Sequence, residues 1–164
     1  MRIVVALLSI FIFVTTALGQ EDRREESEYY VRAYALHYRV PVDFVRALIE
    51  QESGWHACAI SEKGAAGLMQ LMPETARNFG VRDRCDIEQN VSAGVRYLAH
   101  LLSVFHGDLR LVAAAYQTGE RRIARRGLNY SNPQVIAYVR RIRARLASLS
   151  RPHPERRKES KPCR

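Results

Sequence analysis

Three positions four residues apart hold the first sign of chemistry. Phe44, Leu48 and Glu52 stack on one face of a helix, so a carboxylate continues an apolar stripe. Burying a carboxylate without a partner is unfavourable and raises its pKa. A carboxyl group tuned in that way serves as a general acid near neutral pH. The plain alternative is a glutamate at a helix end that reaches water or a basic neighbour, and periodicity alone does not choose between them. The residues that follow add recognition chemistry. Ser53, Gly54 and Trp55 come directly after the glutamate. The segment Gly64-Ala65-Ala66-Gly67-Leu68-Met69-Gln70-Leu71-Met72-Pro73 carries glycines that let a backbone approach a ligand closely. Its Gln70 carries an amide with both donor and acceptor capacity. Trp55 suits either stacking on a sugar or a place in a core.

The elements that must position these residues are helical. The chain has 164 residues, enough for one ordinary domain with a sizeable core. Hydrophobic residues make up 47% and charged residues 26%, which excludes a disordered chain. Ser27 is placed to cap a first helix in which Tyr30, Tyr34 and Tyr38 recur every four residues. Pro41 opens a second helix that ends near Ser53 and Gly54. Residues 54–66 read as irregular. Pro73 starts a short helix closed by Gly80. Gln89 to Phe105 carries Val91, Val95, Leu98, Leu102 and Phe105 on one side. Asp108 caps the next helix, with Leu109, Val112, Ala113 and Tyr116 on a shared face, and Gly119 follows it. Pro133 starts a last helix whose apolar side is Val135, Val139, Ile142, Leu146 and Leu149 and whose other side is arginine. No alternating strand pattern competes, and no internal repeat is visible. The expected fold is all-α, about seven helices in one domain over residues 28–150.

The two ends read differently. Arg2, the apolar run Ile3 to Val14 and the small residues Ala17 and Gly19 resemble a signal peptide over residues 1–19. An uncleaved anchor is the rival reading. Residues 20–27 read as a polar tail, and residues 151–164 as a basic disordered tail. Export into an oxidising compartment would allow Cys58 to pair with Cys85. Closing that loop would stabilise the fold by roughly 3 kcal/mol in the chain-entropy model. Three free thiols remain the alternative. Cys163 is left over in either case, and the three spacings match no metal pattern. The net charge of +9 favours a polyanionic partner. Arg121, Arg122, Arg125 and Arg126 form its densest cluster, which is otherwise a solvated helix face.

The string from Glu52-Ser53-Gly54-Trp55 through Gly67-Leu68-Met69-Gln70-Leu71-Met72-Pro73 resembles the signature of the soluble lytic transglycosylases. The resemblance continues through Asp86, Asn90, Gly94 and Tyr97 to Ala114-Ala115-Tyr116, Gly119 and Tyr138. It implies a lysozyme-like fold and non-hydrolytic cleavage of the β-1,4 bond between N-acetylmuramic acid and N-acetylglucosamine, leaving 1,6-anhydromuramoyl ends. It makes Glu52 the single catalytic acid and base. It places Ser53, Met69, Gln70, Tyr116 and Gln117 along the groove, with Tyr116 bonding near Glu52 or the substrate acetamido group. Tyr138 would close the groove from the last helix. By periodicity alone, Tyr116 and Tyr138 are core residues. Two positions depart from the family: Gln117 stands where asparagine is usual, and Gln134 where glutamate is common. The resemblance implies peptidoglycan strands as partner, a cell-wall or secretion complex as a further one, and an exported monomer, periplasmic or extracellular. No cofactor, metal or nucleic acid is expected. Two other readings stay open. One is a lysozyme-type muramidase with Asp83 or Asp86 as second carboxylate. The other is a peptidoglycan-binding module disabled at Gln117.

Overall fold

The computed structural model describes residues 21–149. The signal-peptide reading of 1–19 and the basic-tail reading of 151–164 lie outside these residues. The first helix, α1, is already formed at residue 21 and runs through 37. This corrects the tail reading for 21–27. Ser27 does not cap the helix. It lies inside it, 1% exposed, and its hydroxyl donates to the Arg23 carbonyl at 2.6 Å. Ser27, Val31 and Ala35 form the buried stripe of α1. The stripe was hidden because its first member is polar. Arg39 takes a left-handed φ of 57° and lets the Val40 N–H return to the Ala35 carbonyl at 2.9 Å, which ends the helix.

Helix α2, Val42–Glu52, follows Pro41 and buries Phe44, Val45, Ala47, Leu48 and Ile49. A short helix α3, Pro73–Asn78, starts on its proline. Helix α4, Ile87–Val104, is capped by Asp86, whose carboxylate accepts from the Gln89 N–H at 2.8 Å. Asp108 caps α5, Leu109–Thr118, in the same way through Arg110 N–H at 2.9 Å. Helix α6, Glu120–Arg126, lies between Gly119 at φ 91° and Gly127 at φ 53°. A 3-10 turn, Gly127–Asn129, leads on to α7, Pro133–Leu149.

The described residues thus hold seven α-helices and no strand, only isolated bridges at Ile60–Ala66 and Ala66–Leu71. None of these helices is long and apolar enough to cross a membrane. Helix α7 packs across both α2 and α5, and α4 and α6 also pack on α5. Leu48, Leu98, Leu101, Val112, Ala115, Ile123 and Ile142 fill the core between them. A disulfide between Cys58 and Cys85 ties the irregular stretch between α2 and α3 to the segment just before α4.

Candidate active site

The last turn of α2 runs against α7 in a graded series. Glu50 accepts from Arg145 at 2.5 Å, and Gln51 accepts from Arg141 Nε at 2.8 Å. Glu52 Oε1 accepts the hydroxyl of Tyr138. The three partners on α7 are spaced four and three residues apart, so they line one side of that helix. Tyr138 is 3% exposed, and its α7 neighbours Val135 and Ile142 are core residues. Burial pushes the Glu52 pKa upward, and the Tyr138 hydrogen bond, which favours the ionised form, opposes it in part. The net shift is upward. The Tyr138 phenol is held well above its ordinary pKa by burial and by Glu52, so it stays a donor.

The floor beside Glu52 is built by a tight reversal. Ala66 and Leu71 exchange N–H to carbonyl bonds at 2.9 and 3.1 Å, and the residues between them form the turn. Gly67 sits at φ 84°. A Cβ there would come within 2.1 Å of the Asn90 amide nitrogen and 2.2 Å of the Arg84 carbonyl oxygen, so only glycine fits. Gln70 also takes a left-handed φ, 47°, which is unfavourable for a side chain with a Cβ. Its amide offsets this by donating to the Ala59 and Gly67 carbonyls at 2.9 and 3.0 Å.

Asn90 clamps the reversal from α4. It is fully buried and accepts from Met69 N–H at 2.8 Å. Its NH2 donates to the Ala66 and Arg84 carbonyls at 3.0 and 2.8 Å. Arg84 adds bonds to the Gly64 and Leu71 carbonyls at 2.5 and 3.1 Å. One turn along α4, Gly94 makes room for Met69: a Cβ there would lie 2.3 Å from its sulfur. The Met69 carbonyl, so placed, accepts the Tyr116 hydroxyl at 2.7 Å. The Tyr116 phenol is pushed well above its ordinary pKa by burial, then by the charge of Glu52. Tyr116 is therefore close enough to feel Glu52 without bonding to it. Tyr97 packs beside Tyr116, ring centroids 5.5 Å apart, and extends the aromatic wall.

The structure brings Glu52, Tyr138, Tyr116 and Met69 together. Within the protein the Tyr116 hydroxyl donates to the Met69 carbonyl. Met69 takes part through its carbonyl, which holds Tyr116, and the residue as a whole is buried. The Ser53 hydroxyl is turned to the backbone, donating to the Ile49 carbonyl at 3.2 Å and accepting from Trp55 N–H at 3.1 Å. Gln70 likewise spends its amide on the turn, and Gln117 and Gln134 are exposed. Trp55 carries the Arg24 guanidinium 3.7 Å over its ring, which occupies one stacking face. Asp86 caps α4 and Asp83 accepts from Cys85 N–H at 2.8 Å, so both acids serve local backbone. The clamping by Arg84 was not foreseen. The place of Asn90 was open to view, since it is a polar residue one position before Val91 and four before Gly94 on the most apolar helix.

Comparison with known proteins covers the same ground. A family model described as the transglycosylase SLT domain matches residues 29–138, a span that takes in Glu52, Met69, Tyr116 and Tyr138. The fold is similar to an inactive glutamate-to-glutamine mutant of lytic transglycosylase Slt from Pseudomonas aeruginosa. The identity is 27% and the TM-score 0.63, over 77% of this chain and 25% of that one. The 70 kDa soluble lytic transglycosylase from Escherichia coli matches at 26% identity and TM-score 0.65, over 72% of this chain and 23% of that one. A complex of the 70 kDa enzyme with bulgecin A matches at 26% and TM-score 0.66, over 73% and 23%. This chain spans about a quarter of the length of those structures. A match over two thirds of its sequence, carrying the partly buried glutamate and the tyrosines around it, places the chain in the SLT transglycosylase domain family.

Proposed function

We propose that this domain cleaves the bond between N-acetylmuramic acid and N-acetylglucosamine in peptidoglycan without water, in the periplasm or the extracellular wall. One observation carries the reading. Glu52 is a partly buried carboxyl with its pKa raised by burial, and among the described residues its side-chain partner is the Tyr138 phenol rather than a second acid or a cation. An ordinary glycosidase needs two carboxylates flanking the bond, whereas a single group suffices if it acts first as acid and then as base.

The steps balance in that form. Glu52, protonated, gives its proton to the glycosidic oxygen as the C1–O bond breaks, and the 4-hydroxyl of N-acetylglucosamine leaves. The substrate's acetamido oxygen supports C1 during the exchange. Glu52, now a carboxylate, takes the proton of the C6 hydroxyl while that oxygen bonds to C1. The 1,6-anhydro ring closes and Glu52 is protonated again. Burial supports the first role and the Tyr138 hydroxyl supports the second, since it stabilises the ionised form between the two steps. The Tyr116 hydroxyl spends its proton on Met69, which leaves its oxygen free to accept the acetamido N–H.

The test is mass spectrometry of the soluble products released from purified sacculi by the wild type and by Glu52→Gln. Anhydro ends from the wild type alone are expected. Products heavier by one water would replace this reading with a muramidase. No products from either protein would leave a binding module.

A further inference from the structure

Several arginines around the helical core pair with a carboxylate. Arg110 pairs with Asp108 at 2.7 Å, Arg145 with Glu50 at 2.5 Å and Arg46 with Glu28 at 2.8 Å. Helix α6 concentrates four that do not. Arg121, Arg122, Arg125 and Arg126 are all exposed, and with Tyr130 they line a cleft of about 640 Å³ that no acid lines among the described residues. Among the described residues the contact made by any of these four guanidinium groups is Arg126 over the Tyr130 ring at 6.0 Å. The spacing stacks Arg121 on Arg125 and Arg122 on Arg126, and like charges four apart destabilise a helix. Arg121 and Arg122 also stand in the first turn of α6, where the helix dipole disfavours cations. Glu120 in the first turn and the dipole at the last turn, which favours Arg125 and Arg126, offset part of this, and an anion over the four arginines relieves the rest.

The concavity indicates the shape of that anion. Guanidinium forks lining a cleft receive single planar carboxylates on a flexible chain, and they hold them through two parallel hydrogen bonds. A flat bilayer would meet only the rim. Tyr130 also borders the neighbouring hollow that contains Arg140 and Arg143, so the positive surface continues onto α7. The cleft lies close to the candidate active site along the chain. Arg121 follows Tyr116 by five residues, so their Cα atoms are at most about 18 Å apart.

We infer that the α6 cleft is a second binding site, which holds carboxylates of the peptide stems on the same peptidoglycan whose glycan enters at Glu52. The inference rests on the proposed substrate. It adds a site that recognises the peptide part by charge and tethers the strand beside the groove.

The experiment uses sedimentation with purified sacculi freed of attached phosphate polymers, over a range of salt concentrations. Parallel arms use glycan strands stripped of peptide by an amidase, and vesicles of one part phosphatidylglycerol to three parts phosphatidylcholine. The wild type is compared with a variant carrying Arg121→Gln, Arg122→Gln, Arg125→Gln and Arg126→Gln together. These positions are exposed, and matching thermal melts check the fold. The wild type should bind intact sacculi in a salt-sensitive way. The variant should bind them about tenfold more weakly and with a shallower salt dependence. The two proteins should cleave stripped strands alike. Equal binding of intact sacculi by both proteins would overturn the inference. Binding of the wild type to stripped strands or to vesicles as tight as to intact sacculi would overturn it too, in favour of a glycan or membrane surface. Failure of the catalytic reading is separate, because cleavage of stripped strands reports on the groove alone and sedimentation of intact sacculi reports on the cleft.

Discussion

Glu50 and Glu52 stand two residues apart on one helix and both meet α7, yet they live in different electrostatic worlds. Gln51 faces α7 between them, so each glutamate lies about 100° to one side. The Glu50 flank opens to solvent, where Arg145, half exposed, meets the carboxylate as an ordinary surface ion pair. The Glu52 flank closes on the reversal that carries Met69 and on the tyrosines of α5 and α7, and among the described residues no cation pairs with it. The same functional group is therefore a solvent-exposed charge at one position and a carboxyl with a raised pKa at the next but one. The deciding factor is what lies on the far side of the helix: water, or a wall built by residues from α4, α5 and α7.

The comparison breaks first on rate. Glu52→Gln should lower release of anhydromuropeptides by a factor of about 10² to 10⁴, the usual worth of general acid–base catalysis. Glu50→Gln should stay within about twofold. Equal losses in the two variants would end the distinction.

The wall can be attacked without touching either glutamate. Asn90→Ala leaves the Met69 N–H and the Ala66 and Arg84 carbonyls without their buried partner. It should destabilise the fold by about 2 to 4 kcal/mol in urea titration. The surface pair of Glu50 should be worth under about 1 kcal/mol by the same measurement.

Tyr138→Phe sharpens the contrast at the acid itself. It removes the hydrogen bond that favours ionised Glu52, so the carboxyl should hold its proton to higher pH. The limb of the pH–rate profile where activity falls with rising pH should move upward, and the maximal rate should drop by about tenfold. A limb that stays in place would mean that Tyr138 does not act on Glu52.

The smallest effect is on stability, and its sign follows from linkage. Folded Glu52 binds its proton more tightly than the unfolded chain does. Its contribution is therefore fully present below the ordinary carboxylate pKa and is lost as pH rises through the raised value. Glu52→Gln removes that loss. It should melt a few degrees higher than the wild type at neutral pH, and the two melting curves should converge in acid. A difference independent of pH would show that the carboxyl is not perturbed.

Much of the fold could be read along the chain because its signals are local. Pro41, Pro73 and Pro133 begin helices by pre-setting φ. Asp86 and Asp108 announce caps because a short carboxylate reaches back to free N–H groups. The four-residue recurrence of Phe44, Leu48 and Glu52 was enough to single out a carboxylate on an apolar face. The helical stretch 21–27 was not readable in this way, since Ser27 heads its buried stripe and satisfies its hydroxyl within the helix.

What the sequence alone determined was the order of helices, the turns between them and the one acid out of place. What only the tertiary structure decided was the company that acid keeps. Tyr138 lies 86 residues from Glu52, and Tyr116 lies 47 from the carbonyl it binds. No period links such positions, and by pattern both tyrosines are simply core. Their hydroxyls acquire direction only when α5 and α7 pack on α2 and Asn90 pins Met69. A buried polar group must find its partner wherever packing delivers one, and that delivery sets the proton affinity of Glu52.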